Sequence, residues 1–156
     1  MRFILLDRVC ELVAGQKISA VKSVSLSEEY LADHFPGFAV LPGVLMLEAL
    51  VQTAAMLVRV TNQFAQSMVV LEEARNIKYR SFVKPGDSVE LILEAKSIDA
   101  GASSFFGEAR KGRERMVEAH LKLRHFNLGD EDERLGRIDR RIVEAMRHQA
   151  KLVGAC

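Results

Sequence analysis

The sequence predicts an α+β protein in which an antiparallel sheet curls around one long buried helix. Strand-like segments flank a single long helical segment, and no strand-helix-strand unit recurs along the 156 residues. The helical segment, residues 44–58, is apolar on nearly every face, so it needs neighbours on all sides. A curved sheet is the simplest structure that supplies them.

The first third of the chain is predicted to form two strands, a short helix and a loop. Residues 2–14 and 17–26 are strand-like, and Gly15-Gln16 marks the turn between them. Ser27 is a plausible start for a short helix. The turn residues in 34–41 then predict a loop.

Pro42 suits the first turn of the long helix, and strands are predicted again after it. The clearest alternation of apolar and polar residues lies in 88–98. The four later strands are predicted at residues 68–79, 88–98, 105–110 and 115–126, and they are separated by the turn sequences Pro85-Gly86-Asp87, Ala100-Gly101 and Lys111-Gly112.

Residues 130–153 differ in composition and predict an amphipathic helix. Asp130 and Glu133 resemble a capping pair at its start. The apolar stripe consists of Leu135, Ile138, Ile142, Met146 and Val153, and the opposite face, an ordinary solvated one, carries Arg137, Arg140, Arg141 and Arg147. We therefore expect one domain, with residues 1–127 as its main body and 128–156 as a helical extension.

The composition is that of a folded protein and does not favour a nucleic-acid partner. The formal net charge is only +1, whereas nucleic-acid binding needs a strongly basic face. Asp7 and Arg8 interrupt the N-terminal apolar stretch, so no export signal is predicted. Cys10 and Cys156 stand near opposite ends and do not make a disulfide framework. Since residues 44–58 are also too short to span a membrane, we expect a cytoplasmic protein.

Glu48, in the second turn of the apolar helix, is the strongest candidate for chemistry. Desolvation by apolar neighbours favours the protonated form of its carboxyl group, which is the form that a departing hydroxyl group needs. Gln52 lies one turn later on the same face, where it can hydrogen-bond the carboxyl group and orient it. From position alone, a structural role for this glutamate is about as common as a catalytic one.

Gly43 and His34 offer the two other parts of an active site. The first N–H groups of a helix lack intrahelical partners, and Gly43 lets a carbonyl oxygen come close enough for a developing negative charge to be stabilised. The imidazole of His34 is partly neutral at cellular pH and can accept a proton. Taken alone, a histidine before a turn is more often a solvated or capping residue.

The remaining histidines do not indicate a metal site. His120 and His125 are five residues apart in a predicted strand, so their side chains point to opposite faces. His148 stands beside Arg147 and Lys151 in the terminal helix and is interpreted as a surface residue. The sequence has no glycine-rich phosphate loop, nucleophile elbow or cysteine metal pattern. We expect neither a metal nor a cofactor.

Residues 34–52 resemble the signature of the β-hydroxyacyl-acyl carrier protein dehydratases of fatty-acid synthesis, the FabZ type within the FabA/FabZ group. The similar residues are His34-Phe35-Pro36-Gly37, Pro42-Gly43-Val44-Leu45, Glu48-Ala49 and Gln52. Residues 3–9, 20–25 and 79–87 extend the resemblance, which covers about residues 3 to 124.

The resemblance implies a hot-dog fold and an edge-to-edge dimer, often gathered into hexamers, with active sites at the subunit boundary. It implies that His34 removes the α-proton of a (3R)-hydroxyacyl thioester, while Glu48 of the partner subunit protonates the departing hydroxyl group. The Gly43 N–H would hold the thioester oxygen. Gln52, Phe35, Pro36 and Val44 would complete the substrate-binding surface, and no cofactor would be required.

The chain departs from the family pattern in three places. Residues 71–75 replace a different family segment, Phe82 stands where proline is usual, and the part after Asn127 exceeds the usual end. These changes concern the acyl tunnel, so the resemblance leaves the acyl chain length open.

The resemblance also implies an acidic carrier-protein partner, which a basic patch would attract. The candidate docking residues are Lys78, Arg80, Lys84, Arg110 and Lys111. Each of them is equally well explained as an ordinary surface charge.

Two other functions stay open at the level of the sequence. A hot-dog acyl thioesterase would keep the fold and hydrolyse the thioester with a carboxylate and water. A non-catalytic subunit would bind the acyl chain or the carrier protein without turning it over.

Overall fold

The computed structural model describes residues 3–32, 34 and 37–156. Within this part of the chain, six antiparallel strands form one sheet in the spatial order β1-β2-β4-β5-β6-β3. The strands are β1 (Arg8–Val13), β2 (Lys17–Ser23), β3 (Met68–Tyr79), β4 (Ser88–Ile98), β5 (Ala102–Lys111) and β6 (Glu114–Phe126), and the two α-helices are α1 (Gly43–Thr61) and α2 (Gly136–Leu152). This architecture confirms the predicted α+β class, the hot-dog fold and the C-terminal helix.

The sheet wraps α1 because both present apolar side chains to each other. Leu50 and Leu57 of α1 and Leu91 of β4 are fully buried. A side chain at Gly107 of β5 would overlap Leu93, so glycine at this position lets the strand approach the core closely. By length and composition α1 could also cross a membrane, but more than half of it is buried inside the protein, as in the core helix of a wrapped fold.

The structure corrects the expected start of two elements. Pro42 caps α1 rather than lying in its first turn, and the helix begins at Gly43. β1 begins only at Arg8, and further towards the N-terminus Phe3 and Leu5 bond to a side chain instead of a strand. Leu5 N–H donates to Gln52 Oε1 at 2.9 Å, and the Phe3 carbonyl accepts from Gln52 Nε2 at 3.0 Å.

The short helix predicted from Ser27 is a single 3-10 turn, Glu29–Leu31. Its position at the start of the loop that carries His34 agrees with the sequence, although its length does not. A turn of this kind is a connector rather than a packing element.

The predicted Asp130–Glu133 capping pair is wrong. Asn127 and Asp130 form the capping box, around a 3-10 turn, and Asp132 caps a second turn that leads into α2 at Gly136. The apolar stripe is also rotated from the expected one, since Ile138 is exposed while Asp139 is buried. The cause is a polar contact that the hydrophobic pattern does not reveal.

Asp139 anchors the start of α2 to the main body. Its carboxylate accepts hydrogen bonds from the Ser67 hydroxyl, from Leu128 N–H at 2.9 Å and from Gly129 N–H at 2.8 Å. The Ser67 hydrogen bond lowers the pKa of Asp139 below its ordinary value. At the other end, the carbonyl of buried Val153 accepts from Val9 N–H at 2.7 Å, so α2 is held at both ends.

Candidate active site

The start of α1 presents two backbone N–H groups that the fold leaves available. The Leu41 N–H donates to the Val83 carbonyl at 2.8 Å and so fixes the entry of the chain into the helix. The Pro42 carbonyl accepts from the N–H groups of the third and fourth helical residues at 2.9 and 3.1 Å. In the described part of the chain, the N–H groups of Gly43 and Val44 have no acceptor. Such a helix end favours negative charge.

Tyr79, at the end of β3, covers the Gly43 backbone. A Cβ atom at Gly43 would lie 3.0 Å from Cε1 and 3.2 Å from Cδ1 of the Tyr79 ring. Burial raises the pKa of Tyr79, so its phenol stays neutral near physiological pH. The sequence analysis missed this contact, because only the fold brings the end of β3 to the start of α1.

Glu48 lies half-buried in the second turn of α1, and Gln52 holds its carboxyl group. Gln52 Nε2 donates to Glu48 Oε1 at 3.0 Å, as the spacing along the helix suggests. The same amide also contacts the Phe3 carbonyl and the Leu5 N–H. Gln52 is therefore locked by the N-terminal segment, and the orientation of Glu48 is fixed in turn.

His34 lies in the loop before α1 and is oriented by the backbone of Val40. Its Nδ1 lies 3.1 Å from the Val40 carbonyl oxygen, and Val40 is fully buried. Because a carbonyl only accepts, Nδ1 must carry the hydrogen in this contact. In the neutral ring, Nε2 is then the nitrogen with the lone pair, and it is the atom able to take a proton.

The other expected substrate-binding residues are placed in part. Phe35 and Pro36 lie outside the described residues. Val44 is 69% exposed at the start of α1. Phe38 and Phe82 are also exposed, and their rings meet edge to face with centroids 5.8 Å apart. The start of α1 is thus surrounded by an apolar surface.

A cavity of about 260 Å³ begins at Glu48 and runs between α1 and α2. Six of its lining residues belong to α1 and two to α2: Glu48, Val51, Gln52, Ala55, Met56, Arg59, Met146 and Gln149. Phe3 and Ile4 of the N-terminal segment also line it. The cavity places the candidate acid beside a space with both polar and apolar walls, which can hold a small ligand.

The five candidate docking residues lie around one end of the sheet, but most of them are already paired. Lys78 and Arg80 contact the Glu118 carboxylate at 3.2 and 3.1 Å. The hydrogen bond from Lys78 is the largest of the interactions that lower the pKa of Glu118 to about 2, and the hydrogen bond from Arg80 adds to it. The other two pairs are Arg110 with Glu108 at 2.6 Å and Lys111 with Asp87 at 3.2 Å.

Lys84 differs from the other four docking candidates. Among the described residues it makes no ion pair, and its ammonium group lies 5.1 Å from the centre of the Phe38 ring. Lys84 thus carries a charge that an acidic partner can neutralise, next to the apolar surface at the start of α1.

Over residues 3–32, 34 and 37–156, no group of three or more His, Cys, Asp or Glu side chains is arranged to hold a metal ion. His120 is exposed, whereas His125 is buried and lies 2.8 Å from the Ser103 hydroxyl through Nε2. The two rings face opposite sides of β6, as the spacing predicts.

Known proteins of similar sequence indicate the family of this chain. The family described as FabA-like domain matches residues 1–120. The 3-hydroxyacyl-acyl-carrier-protein dehydratase FabZ of Wolbachia pipientis wMel is 36% identical over 119 residues, covering 76% of this chain and 83% of the relative. The enzyme of the same name from Symbiobacterium thermophilum is 38% identical over 120 residues, covering 77% and 84%.

Among solved structures, the dehydratase heterocomplex ApeI:P from Xenorhabdus doucetiae is similar with a TM-score of 0.72 at 18% identity. The similarity covers 85% of this chain and 89% of that chain. At this identity the likeness supports the fold alone.

Proposed function

Because the chain belongs to the FabZ-type branch of the FabA-like dehydratase family, we propose that it is a 3-hydroxyacyl-acyl carrier protein dehydratase. The proposed reaction is the reversible elimination of water from a (3R)-hydroxyacyl thioester to give the trans-2-enoyl thioester. The observation that carries this proposal is Glu48, a carboxyl group that is held by Gln52 and lines a cavity. It lies on the same helix as the available N–H of Gly43.

Each proposed role uses a group with matching chemistry. His34 Nε2 takes the α-proton, and the electrons of the broken C–H bond move toward the thioester carbonyl. The Gly43 N–H, at the positive end of α1, stabilises the negative charge on the carbonyl oxygen. The charge then collapses to form the carbon–carbon double bond, and Glu48 donates a proton to the leaving hydroxyl group, which departs as water.

We further propose that the active site is shared between two subunits, with His34 of one protomer facing Glu48 of the partner subunit. The position of β3 supports a dimer, since β3, like β1 at the opposite side of the sheet, is an edge strand, and it pairs only with β6 among the described strands. An unpaired strand edge is a template for pairing with a second copy. The exposed Phe38, Val44 and Phe82 offer apolar area for the same contact. A trimer of such dimers is the larger assembly that we propose.

The domain boundaries and the location belong to the same proposal. We propose that residues 1–127 form the dehydratase domain and that 128–156 are a helical extension of this domain rather than a second one. Burial of Ala150 and Val153 with the main core supports this division. We propose a cytoplasmic location, and the exposed, free Cys10 and Cys156 are in keeping with a reducing compartment.

Hydration of a trans-2-enoyl thioester tests the proposed reaction in its reverse direction. We expect the absorbance of the conjugated double bond to fall after the protein is added, while free thiol does not increase. Release of thiol would instead indicate a thioesterase. Binding of the thioester without either change would indicate a non-catalytic acyl-binding subunit.

We propose that Lys84 guides an acidic carrier protein to the site, with Lys78, Arg80, Arg110 and Lys111 in a weaker role. Lys84→Glu should raise the KM for a carrier-bound substrate by a factor on the order of ten, because it puts like charges together at the rim of the contact. The KM for the same acyl group on pantetheine should not change. Lys96→Glu, at an exposed position elsewhere on the sheet, is the matched control. Equal effects on both substrates would contradict docking.

A further inference from the structure

Arg59 is a cation whose charge the described residues do not balance. It lies half-buried in the last turn of α1, where its Nε is shielded from solvent and has no hydrogen-bond partner. Among the described residues it makes no ion pair. Burial lowers the pKa of Arg59 to about 10, so the group remains protonated at neutral pH. A partly desolvated charge without a counter-charge is unfavourable, so an anionic ligand would stabilise it.

Arg59 lines the same cavity as Glu48. The two residues belong to one stripe of α1, and Gln52, Ala55 and Met56 of this stripe line the cavity between them. Eleven residues separate Glu48 from Arg59, which corresponds to roughly 16 Å along a helix that rises 1.5 Å per residue. Along α1 the cavity wall thus carries the candidate acid, then Gln52, Ala55 and Met56, and then a cation.

We propose that Arg59 binds the far end of the acyl chain, and that the preferred substrates are acyl thioesters whose chain ends in a carboxylate. This inference rests on the proposed dehydratase function and names its substrate class. A carboxylate would accept two parallel hydrogen bonds from the planar guanidinium group. It would also supply the missing counter-charge, while the methylene groups of the chain pack against Ala55, Met56 and Met146.

Part of the cavity wall comes from a segment of the chain that the family match does not include. Met146 and Gln149 of α2 line the cavity, whereas the match ends at residue 120. Met146 adds an apolar surface, and the amide of Gln149 is a further hydrogen-bond donor in the same space. The family relationship therefore does not determine which terminal group of the acyl chain the protein prefers. Residues of α2, which lie outside the family match, help to determine this preference.

The test compares two trans-2-enoyl-pantetheine thioesters of equal chain length, one ending in a methyl group and one in a carboxylate. Wild-type protein should hydrate the carboxylate form with a kcat/KM higher by on the order of ten- to a hundredfold, as expected for a hydrogen-bonded charge pair. Arg59→Met should abolish this preference, and Arg59→Lys should retain part of it. Arg141→Met, at an exposed position of α2, should keep it in full.

Binding provides a second readout that does not depend on turnover. The saturated thioester that ends in a carboxylate should bind wild-type protein more tightly than its methyl-ended counterpart in a calorimetric titration, and Arg59→Met should bind both alike.

If both enoyl substrates are hydrated equally, or the methyl-ended one is preferred, the inference about Arg59 is overturned while the dehydratase function stands. If neither substrate is hydrated, the dehydratase function fails, and the titration alone decides whether Arg59 binds a carboxylate. Equal preference for a hydroxyl-ended chain would also overturn the carboxylate assignment.

Discussion

Glu48→Gln is expected to reduce the turnover of enoyl and 3-hydroxyacyl thioesters by a factor on the order of hundreds or more. Glutamine has nearly the same shape and can still hydrogen-bond Gln52, so the contacts around the Gln52 amide persist. It cannot donate the proton that converts the leaving hydroxyl group into water. The measurement is kcat/KM for hydration, together with the thermal unfolding midpoint and the oligomeric state, both of which should stay close to wild type.

Glu144→Gln is the matched control, because Glu144 is exposed on α2 and lies away from the cavity. This variant should have wild-type turnover. If Glu48→Gln also kept near-normal turnover, Glu48 would have no part in the mechanism. A loss of folding in Glu48→Gln would show instead as a lower unfolding midpoint, which separates the two causes.

Mixing two inactive variants tests whether the site is shared. His34→Ala and Glu48→Gln homodimers should each be inactive, whereas a mixed dimer would contain one site with both intact residues if His34 and Glu48 meet across the boundary. We expect activity to reappear after the two variants are exchanged by partial unfolding and refolding. No recovery, despite mixed dimers detected by mass spectrometry, would indicate that the two residues act within one chain.

Asp139→Ala is expected to cause the largest loss of stability. Removing this carboxylate leaves the Ser67 hydroxyl and the N–H groups of Leu128 and Gly129 without their acceptor, and unsatisfied buried donors are costly. The thermal unfolding midpoint should fall by on the order of 10 °C. Asp139→Asn keeps one acceptor oxygen and should fall by less. Glu144→Ala, on the exposed face of the same helix, should leave the midpoint nearly unchanged.

The effect of Asp139 should depend on pH in a defined direction. Its pKa in the folded protein is lowered, foremost by the Ser67 hydrogen bond, so the folded state binds this proton less readily than the unfolded state does. The stability that the carboxylate contributes is therefore complete above the ordinary aspartate pKa of about 4 and is lost as the pH falls through the lowered value. The difference between wild type and Asp139→Ala should be constant near neutral pH and shrink in acid. A difference that grew in acid would contradict the hydrogen-bonded carboxylate.

Much of the fold could be predicted from the sequence, because alternation along a strand and the apolar run of a buried helix are local. The bounds of β3 and β4 agree with the alternation of apolar and polar residues, and the apolar run after Pro42 predicted α1 within a few residues at each end. The hydrogen bond between the candidate acid and its partner could also be predicted, since Glu48 and Gln52 are one turn apart on one helix. His34, Gly43 and Glu48 were recognised by their chemistry, and their catalytic roles stay predictions.

Only the tertiary structure decided which distant residues meet, because no local period encodes contacts between segments far apart in the chain. Gln52 bonds to Leu5 across 47 residues, and Ser67 bonds to Asp139 across 72 residues. The first contact holds the segment before β1, and the second buries Asp139 near the start of α2. The fold likewise brings the ring of Tyr79 over Gly43 and places Arg59 in the cavity that Glu48 lines. How far Arg59 is shielded from solvent, and whether a carboxylate lies beside it, depends on the packing of segments that are distant in the chain.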